Sequence, residues 1–168
     1  DFDTITLPEM GKVMLLNRTD VKFSFHRDLL SDILTLAKAD YLSLVINEQH
    51  YADYETHYFD TPEYGFYLDH HNKRLNRYKV RTRSYVNSDL HFFEIKFKSN
   101  KGRTIKSRMK IAQPDSCITE ECAEFLKTKA GISAENLKRS IQVNYKRITL
   151  INKGMTERIT IDFDMSYL

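Results

Sequence analysis

Between Thr19 and Phe25 the chain alternates, with Thr19, Val21, Phe23 and Phe25 interleaved among Arg18, Asp20, Lys22 and Ser24. Period-two alternation predicts a half-buried strand. From Arg27 to Ala39 the spacing changes, and Leu29, Leu30, Ile33, Leu34, Leu36 and Ala37 recur at helical intervals. This predicts an amphipathic helix with His26 or Ser24 as its cap. Tyr54 to Asp60 is rich in β-formers and stops at Thr61-Pro62, which predicts a strand. Glu63 to Lys73, carrying Tyr64, Phe66, Tyr67 and Leu68, reads as a short helix or turn.

The sharpest alternation follows. Arg77 to Arg83 alternates strictly, Asn87-Ser88-Asp89 supplies turn chemistry, and Phe92 to Lys98 returns, which predicts a hairpin. Ser99 to Gly102 is a second tight turn into a strand from Thr104 to Ile111. Glu120 to Lys129 reads as a helix stopped by Gly131, and Ser133 reads as the cap of a second short helix with Glu135 in its first turn. Ile141 to Ile151 and Arg158 to Asp164 form a last hairpin around Asn152-Lys153-Gly154. Strands in meander order with helices inserted make an α+β fold, and with no linker or repeat the chain reads as one domain spanning 1–168.

Each strand has two faces. Arg77, Lys79, Arg81 and Arg83 share one, opposite Tyr78 and Val80. In the next strand Glu94, Lys96 and Lys98 oppose Phe93, Ile95 and Phe97. In the third, Lys106, Arg108 and Lys110 oppose Ile105, Met109 and Ile111. In the last strand Arg158, Thr160, Asp162 and Asp164 oppose Ile159, Ile161 and Phe163. Tight turns make the three central strands neighbours, so their basic faces coincide in a cationic wall. Like charges opposite one another destabilise a sheet unless an anion, counter-charges or full hydration offset them. A hydrated outer sheet face is the plain alternative, but such faces mix Lys with Glu, Thr and Gln. Acids are scarce here, which points to an anion ligand.

Composition adds bounds. The 168 residues carry a net charge of +3, too small to name a partner by itself. The longest apolar runs, such as Leu42 to Ile46, are far shorter than the roughly 20 residues of a membrane span. No transmembrane segment and no secretory leader is read, and the start at Asp1 suggests a trimmed chain. Cys117 and Cys122 are poorly spaced for a metal and read as packing or surface thiols, as suits a cytoplasmic protein.

Arg forks and Lys point charges suit phosphate oxygens. The few acids among them, Glu94, Asp162 and Asp164, either hold a divalent cation that bridges phosphates or balance the surrounding cations. No Gly-rich P-loop, H-E-x-x-H or G-x-S-x-G occurs, and the scattered histidines, including His70-His71, are given no role. A nucleic-acid ligand is disfavoured because Tyr78, Phe93 and Phe97 fall on the apolar face, away from the basic one.

The ordered set R-x-D-x-K (Arg18, Asp20, Lys22), Y-F-D-T (Tyr58 to Thr61), R-Y-K-V-R-x-R (Arg77 to Arg83), F-E-I-K-x-K (Phe93 to Lys98), Y-K-R (Tyr145 to Arg147) and R-I-T-I-D (Arg158 to Asp162) resembles the VTC domain. That family lies within the CYTH, or triphosphate tunnel metalloenzyme, superfamily. The resemblance implies an antiparallel β-tunnel (barrel) with helices packed outside and a basic lining that binds triphosphate or polyphosphate. It implies a polyphosphate polymerase: a phosphotransferase that takes phosphoryl groups from ATP or another triphosphate, with Mn2+ or Mg2+ as cofactor. Lys22, Arg81, Arg83, Lys96, Arg147 and Arg158 would act in catalysis. Arg18, Lys79, Lys98, Lys106, Arg108 and Tyr145 would bind substrate. Glu94, Asp162 and Asp164 would hold the metal.

Two departures stand out. The superfamily's E-x-E-x-K is R-x-D-x-K here, which suits VTC-type members better than hydrolases. The family's late strand, with a glutamate that helps bind the metal, does not occur before Leu168. A tri- or polyphosphate hydrolase and a non-catalytic polyphosphate or inositol-phosphate sensor are the alternatives.

Overall fold

The computed structural model describes residues 2–11, 19–114 and 117–168. Along the chain come β1 (Thr4–Ile5), α1 (Leu7–Met10), a 3-10 turn (Arg27–Leu29) running into α2 (Leu30–Ala37), β2 (Tyr41–Leu44), β3 (Ala52–Asp60), α3 (Gly65–His71), β4 (Arg77–Tyr85), β5 (Leu90–Lys98), β6 (Thr104–Ile111), α4 (Glu120–Ala130), β7 (Lys138–Asn152) and β8 (Arg158–Tyr167). The fold is α+β with mostly antiparallel strands, and β1 and β2 pair in parallel. The chain divides into two compact units, Asp1–Asp53 with Tyr145–Met165, and Tyr54–Asn144 with Ser166–Leu168.

The second unit carries the alternating strands. β3, β4, β5 and β6 are joined antiparallel in sequence order, with Tyr58 opposite Arg81, Arg81 opposite Glu94 and Glu94 opposite Arg108. Period-two side chains put Phe59, Val80, Phe93 and Ile95 on one face, where they are buried with Cys122 and Leu126 of α4. α4 is placed by its ends. Thr119 caps it by accepting from the Cys122 N–H, acids fill the first turn, and Gly131 closes it at φ +67°. Cys122 is therefore a core thiol, and Cys117 is exposed.

The Y-F-D-T motif has a structural role that pattern reading did not reveal. Asp60 is buried, and its carboxylate accepts from the backbone N–H groups of Thr61, Phe66 and Tyr67 at 2.8, 2.8 and 2.9 Å. Thr61 Oγ1 accepts from Gly65 N–H at 2.9 Å. Together they satisfy the orphan donors at the start of α3, whose preceding residue Tyr64 is in the left-handed region at φ 57°.

In the first unit, Ile5, Leu44 and Ile151 form a small buried cluster with Met10, Leu42 and Ile46 against it. Asn152 holds the β7–β8 turn by accepting from Thr156 and Glu157 N–H at 2.8 and 2.9 Å.

Most predicted elements are present, with three differences. Residues 19–25 are not a strand. Alternation supplies a face but not a backbone partner, and Val21 and Phe23 are 69% and 84% exposed. The short helix predicted after Ser133 is a turn, in which Ser133 Oγ accepts from Glu135 N–H at 3.4 Å. β1, α1 and β2 were not anticipated, because elements of two to four residues are too short to show a period.

Candidate functional site: a buried carboxylate under a wall of cations

On the face of β4–β6 away from α4, cross-strand register produces rows. Arg77 pairs with Lys98, Lys79 with Lys96, and Lys96 in turn with Lys106; Arg83 sits opposite Phe92, and Phe92 opposite Lys110. Nine cations (Arg77, Lys79, Arg81, Arg83, Lys96, Lys98, Lys106, Arg108 and Lys110) share the face with one carboxylate, Glu94. The cationic wall read from the sequence is present in this unit.

Glu94 is 0% exposed and Arg81 only 4%. Arg81 donates from Nε and Nη2 to Glu94 Oε2 at 2.8 and 2.6 Å, and from Nη1 to Tyr58 Oη at 3.1 Å. Lys106 Nζ pairs with the other carboxylate oxygen, Oε1. Burial alone would push the Glu94 carboxyl up, but Arg81 and Lys106 together outweigh it and hold it at about 2. Burial also opposes the charge of Arg81, and Tyr58 and Glu94 outweigh that too, so its guanidinium is raised above its ordinary value. The result is a buried cluster in which one carboxylate is shared between two cations.

Lys96, across the strand from Lys106, is treated differently. Lys96 takes part in none of the ion pairs of this face among the described residues. Burial, then Arg81, Arg83 and Lys106, depress its ammonium to about 7 against the pull of Glu94. Lys106 is lowered as well, by burial first, although Glu94 opposes the shift. For Lys96 burial is the largest cause; the positive potential of the neighbouring cations adds to it, and an added anion would offset that second part.

The wall is backed by rings that were not anticipated as part of it. Arg81 lies over Tyr58 at 5.8 Å, Arg83 over Tyr54 at 5.5 Å and Arg108 over Phe92 at 4.8 Å. Arg83 Nε also donates to Thr56 Oγ1 at 3.2 Å. The signal was available: in Ala52–Asp60, alternation places Tyr54, Thr56 and Tyr58 on one face. Tyr78 and Phe97 do pack ring to ring, at 4.6 Å, on the apolar side.

The remaining predicted residues lie in the first unit. Arg147 grips Asp162 through Nε and Nη2 at 2.5 and 2.7 Å and lies over the ring of Tyr145, which is buried. Arg27 reaches Asp164 at 3.2 Å. Arg158 is exposed on β8, and Lys22 is exposed in the extended segment. Arg18 lies outside the described residues.

Do the three predicted metal ligands fit an ion? Glu94 has both oxygens engaged by protein cations, Asp162 is held by Arg147 and Asp164 faces Arg27. No group of three His, Cys, Asp or Glu side chains that could hold a metal gathers among the described residues. These carboxylates act as counter-charges and do not form a ready-made metal centre. Among the described residues no helix is long and apolar enough to cross a membrane.

No curated protein sequence matches the chain. A crystal structure of a candidate adenylate cyclase from Bacillus halodurans is similar in backbone, with a TM-score of 0.47 and 11% identity over 85% of this chain and 73% of that one. A likeness of that size leaves the assignment to the sequence family. The VTC domain model matches residues 17–168, nearly the whole length, and the chain belongs to the VTC domain family.

Proposed function

We propose that the β4–β6 face binds the phosphates of a nucleoside triphosphate and of a polyphosphate chain, and that the domain transfers phosphoryl groups from the first to the second. The observation that carries this reading is the row Lys79, Lys96 and Lys106, three directly paired lysines beside a carboxylate already spent on Arg81 and Lys106. A chain of phosphate oxygens supplies the negative charge that Lys96, outside the ion pairs of this face, lacks.

Phosphoryl transfer asks little covalent chemistry of a protein. A terminal oxygen of the polyphosphate attacks the γ-phosphorus in line, the bond to the β-phosphate oxygen breaks, and the nucleoside diphosphate departs with that electron pair. Lys79, Lys96, Lys106 and Arg83 hold and neutralise phosphate oxygens, which is a matter of positioning and electrostatic preorganisation. Arg81 is held by Glu94 and Tyr58 so that its unused N–H groups do not have to be ordered on binding. The roles that the resemblance implies for Lys22, Arg147 and Arg158 belong to the same reading.

Incubation with ATP and Mn2+, followed by gel and phosphorus NMR analysis, tests it. The expected product is a phosphate polymer. Free phosphate alone would replace transfer with hydrolysis, and tight binding of tripolyphosphate with neither product would make the domain a sensor.

A further inference from the structure

The three acids expected to hold a metal are all engaged by cations of the chain itself, and Glu94 is the most informative of them. It is wholly buried, so a hydrated divalent ion has no solvent route to its oxygens in this arrangement. One oxygen takes two guanidinium N–H bonds and the other pairs with Lys106. To ligate a metal, Glu94 would have to release Arg81 or Lys106 into a region already crowded with positive charge, and a divalent cation would add two more. Coulomb repulsion at such separations is several kcal/mol even at an effective dielectric of about 20.

We propose that this face is a metal-independent polyanion site, in which Glu94 is a resident counter-anion that pre-positions Arg81 and Lys106, and any divalent ion arrives chelated to the phosphate chain. The proposal rests on the polyphosphate-binding reading above. Glu94 holds the arginine in a single orientation and keeps Lys106 near it before any anion binds. An incoming phosphate then competes for Lys106, whose side chain is 36% exposed, and leaves the better buried Arg81–Glu94 pair intact. Rigid pre-positioning of this kind reduces the ordering cost of binding.

Calorimetric titration of the EDTA-treated protein with tripolyphosphate, repeated with Mn2+ present, is the test, accompanied by an electron paramagnetic resonance titration of Mn2+ alone. The expected result is binding in EDTA with a dissociation constant within about tenfold of the Mn2+ value, or roughly 1.4 kcal/mol. The free-ion Mn2+ signal should be undiminished when protein is added without phosphate. Binding that appears only with Mn2+, or stoichiometric capture of Mn2+ by the protein alone, would overturn this inference and leave the polyphosphate reading standing. No binding in either condition would overturn both. All of these arms use the unaltered chain, so none depends on a variant folding.

Discussion

Glu94 and Lys96 stand two positions apart on the same face of β5, and their charges are treated in opposite ways. Glu94 is surrounded by cations that hold it ionised far below its usual range, and Lys96 has its ammonium depressed to about 7 by burial first and then by the neighbouring cations. A sheet built only for stability would place a second acid near Lys96. The chain instead tolerates both the burial and the repulsion, a cost that the proposed anion site accounts for.

Replacing Lys96 with Met should therefore stabilise the protein. Relief of like-charge opposition across three strands should raise the melting temperature at pH 7, on the order of 2–4 °C for each kcal/mol recovered in a chain of this size. Differential scanning calorimetry without phosphate checks this, and a lowered melting temperature would show that Lys96 is a structural contact.

Glu94→Gln should do the opposite. The substitution removes the carboxylate shared by Arg81 and Lys106, and breaking a buried pair in this way costs about 3–5 kcal/mol. Urea unfolding at pH 7 measures it, and a loss below about 1 kcal/mol would be a surface-pair value incompatible with this burial.

Both groups give pH signatures of known sign. Glu94 binds its proton less readily when folded, at about 2 rather than 4.5, so its stabilisation is complete above the unfolded value and lost as pH falls from about 4.5 toward 2. Lys96 also binds its proton less readily when folded, at about 7 rather than 10.5, so the unfolded chain holds more protons in between. Its contribution to stability accordingly rises with pH across that window. Phosphate binding should pull the Lys96 proton back on. Affinity for tripolyphosphate should then fall above pH 7 more steeply in the native chain than in Lys96→Arg, which stays charged, and parallel pH profiles would exclude this linkage.

Asp60→Ala should destabilise the protein by about 2 kcal/mol, through loss of the carboxylate that caps the start of α3. Tripolyphosphate affinity of the folded fraction should be unchanged. A selective loss of affinity would give Asp60 a part in the site that its three backbone contacts do not suggest.

Pattern reading recovered the parts of this molecule that are periodic. Alternation over Arg77–Arg83, Phe92–Lys98 and Thr104–Ile111 separated the cationic face from the apolar one, because turn chemistry fixed the register and one face had to pack on α4, although Ile105 on the apolar side is 57% exposed. It could not find the Arg81–Glu94–Lys106 triad as a closed unit. The same residue types in the same order serve equally well as a metal site or an internal ion cluster, and only side-chain directions separate the two. It also overestimated residues 19–25, where a good amphipathic pattern has no partner strand among the described residues, so Lys22 is left on an exposed segment. Tyr58 was legible as part of a motif but not as a hydrogen-bond partner of Arg81, since that contact crosses strands 23 residues apart.

Titration of Lys96→Gln with tripolyphosphate beside the unaltered protein, at pH 7 and fixed low salt, addresses the anion-site reading most directly. The row of paired lysines predicts a loss of affinity of about tenfold or more, roughly 1.4 kcal/mol or above, with no loss of thermal stability. Equal affinity in the two proteins would mean that the charge on Lys96 faces no phosphate, and the anion-site account would be wrong.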